Sequence, residues 1–279
     1  MQFKMTALLI TLTFLCTSAL GLQAGQTTAQ PSIEEIIRRF TEAETQNKIA
    51  RNNYTFTQDV DAMTLGEAGS ITGRLRRTSE IVFDDRSNRF ERITYFPVHD
   101  LAVDFMQQDY QDLAGVQPFG LTAEDLPKYQ VDFTGKEKID ELETYVFSVK
   151  PKRLVKGERY LDGKIWVDDQ DLQIVKVAGK AVPEDEKNKF PRFESYRENI
   201  DDRYWFPTYV YADDVLEFKG GSIRLRLVVR YTNYRKFSGR IKLADEGEAA
   251  TDEDVKATET RKPPPVKPPE PPTLDKKRP

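Results

Sequence analysis

Lys164-Ile165-Trp166-Val167-Asp168-Asp169-Gln170-Asp171-Leu172-Gln173-Ile174-Val175-Lys176-Val177 reads as two strands joined by a turn. Ile165 and Val167 alternate with Lys164, Trp166 and Asp168. The polar run 169–171 reverses the chain, and Leu172 to Val177 returns rich in β-branched residues. The same signal recurs downstream. Phe193 to Ile200 and Trp205 to Ala212 flank Asp201-Asp202-Arg203, and Lys219-Gly220-Gly221-Ser222 reads as the next turn. After it, Ile223, Leu225, Leu227, Val229 and Tyr231 alternate with Arg224, Arg226, Val228 and Arg230. Upstream, Tyr129 to Thr134 alternates, and Tyr145 to Val149 stops at Pro151. Earlier still, Tyr54 to Val60, Glu80 to Asp84 and Arg89 to Phe96 are strands, with a turn-rich stretch at 66–73. Hairpins at a spacing of about 8–12 residues predict an antiparallel sheet curled into a barrel or half-barrel.

Helical periodicity is confined to a few segments. Ile33, Ile36, Ile37, Phe40 and Ala43 fall at spacings of three and four, opposite Glu34, Arg38, Arg39 and Glu42. Ser32 caps this helix, predicted over 32–44, and Glu35 completes a capping box. A second helix is predicted between Asp100 and Leu113, from Val103, Met106, Tyr110 and Leu113. A third, shorter one starts at Thr122 with Asp125 and is stopped by Pro127. The fold class is mainly β with few helices.

The ends have a different composition. Residues 1–24 read as a secretory signal: Lys4 supplies the positive end, Ala7 to Leu15 the apolar stretch, and cleavage is expected after Ala24. The competing reading is a membrane anchor, but the apolar run is shorter than the roughly 20 residues a spanning helix needs. Acylation of Cys16 is disfavoured because bulky Leu15 precedes it. Loss of the leader leaves 41 basic against 46 acidic residues and no cysteine. Residues 244–279 are acidic and then proline-rich, with seven of the sixteen prolines between Pro263 and Pro272. This composition predicts a disordered, partly polyproline II tail.

Composition also excludes chemistry. Across 279 residues the net charge is −4, so no basic excess exists to neutralise phosphates, and nucleic acid is not an expected partner. With one histidine, His99, and one cysteine, Cys16, neither a multi-histidine metal site nor a cysteine-rich one can be built. His99 follows a strand end and reads as a loop residue. Asp168-Asp169-Gln170-Asp171 has hard-cation ligands but lacks the glycine and distal glutamate of a calcium loop, and it is expected to be a solvated turn. Asp201-Asp202 and Asp213-Asp214 read the same way. No cofactor and no catalytic residue is expected.

The hairpin of Trp166-Val167-Asp168 with Leu172-Gln173-Ile174-Val175-Lys176, preceded by the strand end Val149-Lys150-Pro151-Lys152, resembles the outer-membrane lipoprotein-sorting (LolA/LolB-like) superfamily. The resemblance covers residues 31–243. It implies a half-open antiparallel β-barrel whose concave face is covered by helices, a non-catalytic role, and a cavity for the acyl chains of lipids or lipoproteins in the periplasm. The heavily charged strands and the proline-rich tail depart from that pattern.

The expected function is therefore exported, non-catalytic binding or transfer of a lipid or lipoprotein by a monomer. The alternative is an envelope interaction or assembly scaffold of the same fold without a ligand. The expected lipid-binding residues lie between the early and late strands: Val103, Phe105, Met106, Phe119 and Leu121. Gly115, Pro118 and Gly120 allow this segment to move as a lid, against the plainer reading of a fixed plug over a dry core. Most of the sixteen Phe, twelve Tyr and two Trp, among them Phe56, Phe83, Phe147 and Trp166, are expected to be core. Arg224, Arg226 and Arg230 either attract anionic head groups or an envelope protein, or form a solvated outer face. The tail is a docking segment or a spacer.

Overall fold

The structure, a computed structural model, describes residues 31–84, 86–103, 107–186, 188–236 and 272–274. The chain divides into two compact units, Met1–Pro31 and Ser32–Pro279, and the second carries the elements below. Helix α1 (Ile33–Arg51) leads into β1 (Tyr54–Leu65), β2 (Ile71–Phe83) and β3 (Arg89–Tyr95). A short helix α2 (Gln107–Ala114) and a 3-10 turn (Leu126–Lys128) interrupt the strands. Then come β4 (Tyr129–Ile139), β5 (Leu142–Pro151), β6 (Tyr160–Asp168), β7 (Ile174–Val182), β8 (Phe193–Ile200), β9 (Tyr204–Phe218) and β10 (Gly221–Lys236). All ten strands form one antiparallel sheet in the order β3-β2-β1-β10-β9-β8-β7-β6-β5-β4. Every hairpin read from the sequence forms, including the turn at 219–222, which pairs Phe218 with Gly221.

The sheet is open, with β3 and β4 at its edges, and it is strongly curled. Asp112 and Leu113 are neighbours in sequence, about 3.8 Å apart at their Cα atoms. Leu113 O accepts from Gln58 of β1, while the Asp112 carboxylate accepts from Arg159, immediately before β6. Five strand spacings separate β1 from β6, about 24 Å in a flat sheet. Only a sheet wrapped around this segment lets two adjacent residues reach both strands. The architecture is the half-barrel with covering helices that the strand pattern and the resemblance predict.

Each strand then has a concave and a convex face. Ile165 and Val167, Leu225, Leu227 and Val229 join Ile36 and Phe40 of α1 in the main core on the concave side. The Phe40 ring lies 5.4 Å from that of Phe147 on β5. The convex side has its own cluster of Val146, Trp166, Val175, Tyr196, Trp205, Tyr209 and Val228. Trp166 is packed as expected, but outward. Leu274 is buried in this outer cluster, and its backbone N–H donates to Asp140. Composition of the tail does not show such an anchor.

Several details correct the sequence reading. Helix α1 runs two turns past 44, because its buried stripe continues through the polar Glu44 and Asn47 before reaching Ala50. Only half of the capping box forms: Ser32 Oγ accepts from Glu35 N at 3.2 Å, while the Glu35 carboxylate turns to Arg38. Asp168 is not solvated. It is fully buried, and its carboxylate accepts from the backbone N–H groups of Gln170 and Asp171, closing the turn. Asp213 receives both Arg224 and Arg226, at 2.7 and 2.6 Å, so two of the three outer arginines share one carboxylate and are held against the sheet.

Phe40 is fully buried and Ser32 exposed, so truncations at the two sites should separate. Phe40→Ala should cost about 3–5 kcal/mol by urea unfolding, whereas Ser32→Ala should cost about 1 kcal/mol or less. A surface-like response of Phe40→Ala would detach α1 from the core.

Candidate functional site

The concave face is roofed by the second half of α1 and by the segment from Asp112 to Thr122. What holds this roof is largely polar. Arg197, on β8, points inward with only 2% of its surface exposed and meets Glu44 of α1 at 2.7 Å. Its other terminal nitrogen donates to the Phe119 carbonyl. Glu44 also accepts from Asn47, which in turn donates to Gln173 at 2.8 Å. At the other end of the segment, Leu113 O accepts from Gln58 and from the Tyr231 hydroxyl, both at 3.3 Å. Asp112 pairs with Arg159 at 3.1 Å, and the Arg159 guanidinium lies 3.6 Å from the centre of the Phe190 ring.

Thr122 and Asp125 form the expected local box, Thr122 Oγ1 donating to the Asp125 carboxylate at 2.8 Å. Proline at 127 then permits only a 3-10 turn. The Ala123 N–H reaches back to Thr41 O and Thr45 Oγ1, which ties this turn to α1. Gly120 is required by the close approach of the two layers. A Cβ there would sit well inside van der Waals contact of Glu44 Oε2 and 3.2 Å from Arg197 Nη2.

Three adjoining cavities lie under this roof. The largest, about 450 Å³, is bordered by Glu44, Arg51, Phe119, Arg159, Tyr160 and Arg197. A second, about 210 Å³, shares Lys48, Arg51, Ala114, Pro118 and Pro207 with it. The third holds about 80 Å³ between Val103, Val116, Phe193, Leu216 and Leu227. The interior is thus neither a dry plug nor one large apolar chamber.

Of the expected lipid-binding residues, Val103 borders the third cavity and packs on the main core, and Phe119 borders the largest cavity. Leu121 is fully buried in the core between roof and sheet. Phe105 and Met106 lie outside the described residues. The polar residues that hold the roof, Glu44, Gln58, Asp112, Arg159 and Arg197, carry no sequence signal. Each is one charge or amide among many, and only folding brings it inward. His99 is exposed in a loop, its ring 5.7 Å from that of Phe96. Among the described residues no helix is long and apolar enough to cross a membrane.

Burial pushes the Asp112 carboxyl above its ordinary 3.8, and Arg159 reverses only part of this. At Asp125 burial also pushes upward, but the Lys128 and Thr122 hydrogen bonds outweigh it and the net shift is downward.

No protein-family model matches the sequence, and no curated protein matches it. The chain is similar to three solved structures, among others. A DUF1329 family protein from Desulfovibrio piger is 14% identical, covering 71% of this chain and 95% of its own, with a TM-score of 0.34. An outer membrane lipoprotein-sorting protein domain from Vibrio parahaemolyticus is also 14% identical, covering 71% and 93%, with a TM-score of 0.34. A LolA superfamily protein from Nitrosomonas europaea is 12% identical, covering 71% and 94%, with a TM-score of 0.30.

Two measurements test this description of the roof. Gly120→Ala should force Glu44 and Arg197 apart and lower the thermal midpoint by several degrees, an effect the same change at exposed Gly220 should not have. The second follows from Asp112. A folded-state pKa raised above the unfolded value means that the folded protein binds the extra proton. The resulting stabilisation is present at low pH and is lost as pH rises from 3.8 through the raised value. Relative to Asp112→Asn, which cannot titrate, the wild type should therefore lose stability across that window. A difference in midpoint that is flat with pH would place Asp112 in water.

Proposed function

We propose that this chain is an exported, non-catalytic binding protein of the bacterial envelope, which takes the acyl chains of a lipid or lipoprotein against the concave face of its sheet. The observation that supports this most directly is the roofed concave face, with adjoining cavities of about 450, 210 and 80 Å³. Drug-sized ligands occupy cavities of about 300–1,000 Å³, so the combined space is of the right order. The roof is held by hydrogen bonds and ion pairs, whose polar atoms water can serve when the segment lifts. An all-apolar contact would lose its stabilisation outright on opening. The leader at 1–24 supports export and the domain at 31–243 is the binding unit, acting as a monomer.

The test is a titration of fluorescent fatty-acyl probes of increasing length into the mature protein. Each methylene buried should add about 0.8 kcal/mol until the space is full. Phe119→Glu should abolish binding, because it replaces apolar lining of the largest of these cavities with a carboxylate that must stay hydrated. Weak binding independent of chain length, and equal in both proteins, would reduce the effect to surface adsorption.

A second reading rests on Leu274. Leu274 is buried in the outer cluster with Trp166 and Trp205, so one apolar side chain of a distant segment packs on the convex face. This supports the scaffold alternative, in which the convex face docks protein segments while the concave face stays filled.

A further inference from the structure

Arg51 stands apart from the other inward-facing cations. Arg197 has Glu44, and Arg159 has Asp112. Arg51, in the last turn of α1, makes no hydrogen bond or ion pair among the described residues, and its Nε is buried without a partner. It borders both the 450 and the 210 Å³ cavities. Burial lowers the pKa of its guanidinium, as expected for a charge that lacks compensation. The one carboxylate whose charge acts on it among the described residues, Glu44, is already taken by Arg197 and Asn47.

The smaller cavity has a matching character. Among the described residues its charged border is Lys48, Arg51 and Arg89, with no Asp or Glu. Arg89 does have a carboxylate nearby, Glu91, but shares it with Arg77, which leaves one positive charge in excess. The remaining wall is apolar and aromatic, including Phe56, Phe83 and Tyr231. A plainer role for Arg51 is to complement the helix C-terminus. That role is best served by a solvated side chain and gives no reason to bury Nε unpaired against an aromatic cavity.

We propose that Arg51 is the head-group receptor of this site: its guanidinium binds the carboxylate or phosphate of an anionic amphiphile whose chain lies along the Phe56 and Phe83 wall. The planar fork of donors suits either anion. This inference rests on the acyl-binding reading above and specifies the ligand class.

The test uses the mature protein with dodecanoate, dodecyl phosphate, uncharged glycerol monododecanoate and inorganic phosphate, all below micellar concentrations. The two anionic amphiphiles should bind at least about ten-fold more tightly than the uncharged one, as expected for charge-assisted hydrogen bonds. Arg51→Gln should remove that preference and leave the uncharged probe unaffected. Arg153→Gln, an exposed control, should change nothing. The thermal midpoint of ligand-free Arg51→Gln should be equal to or above that of the wild type, because the variant loses an uncompensated charge. A fall of several degrees would make Arg51 structural and overturn the proposal. An equal loss in Arg153→Gln would overturn it too, as a general charge effect. Inorganic phosphate binding as tightly as dodecyl phosphate would identify a free anion instead of an amphiphile. Equal binding of charged and uncharged probes, unchanged in Arg51→Gln, would overturn the head-group assignment and leave the acyl-binding reading standing. No binding of any amphiphile would overturn both.

Discussion

Arg197 reaches from the middle of the sheet through the core to two other layers at once. Its guanidinium holds the Glu44 carboxylate of α1 and the Phe119 carbonyl of the roof. Burying such a pair offers little net stability, since removing both charges from water costs several kcal/mol per ion. Breaking it is another matter, because the surviving charge stays buried and unpaired, at about 3–5 kcal/mol. The pair therefore acts as a register: α1, the roof and β8 fit together in one arrangement. Gly120 passes over Glu44 because no side chain fits there. The length of α1 follows from the same constraint, for its last two turns bury Glu44 and Asn47 and would have no reason to be helical without polar partners in the sheet.

The sheet has work on both faces. On the concave side it carries the main core and the roofed cavities. On the convex side, Trp166, Tyr196, Trp205 and Val228 form a second apolar cluster, covered in part by the Lys176 side chain and by Leu274. Charged side chains close much of the remaining outer surface by pairing across strands, Arg74 with Asp61 and Arg224 and Arg226 with Asp213. This explains how strands so rich in charge can still belong to a half-barrel. The charges are held laterally against one another along the strands.

A roof attached by polar contacts differs from one attached by packing alone. Val116, Phe119 and Leu121 supply apolar burial, but position is set by the Asp112, Leu113 and Phe119 contacts. Those contacts compete with water and with ligand groups. Arg51 fits the same picture from the opposite direction, as an inward charge for which the described residues offer no partner. A stable core has no use for such a group, and its cost is understandable where a ligand supplies the counter-charge.

How much of this was legible beforehand depends on the range of the interaction. Period-two alternation around Trp166 and from Ile223 to Tyr231, with the turns at 169–171, 201–203 and 219–222, was enough to specify the antiparallel order of hairpins. Each of these is a local property, set by which face a residue occupies and which turns reverse the chain. The start of α1 was legible for the same reason, in Ser32 and the stripe from Ile33 to Phe40. Its end was not, because a buried Glu44 looks the same in sequence as an exposed Glu42. Likewise Val103 and Phe119 could be placed near the cavity from their position between strands, whereas Arg51, Asp112, Arg159 and Arg197 could not. Their roles depend on partners up to 153 positions away, Glu44 and Arg197 being the extreme case. The sequence by itself determined the strands, the turns and the class of the fold. Which charges turn inward, and which of them remain without a partner, was decided only by the curl of the sheet. The cost of a buried charge depends on its three-dimensional surroundings and leaves no periodic trace along the chain.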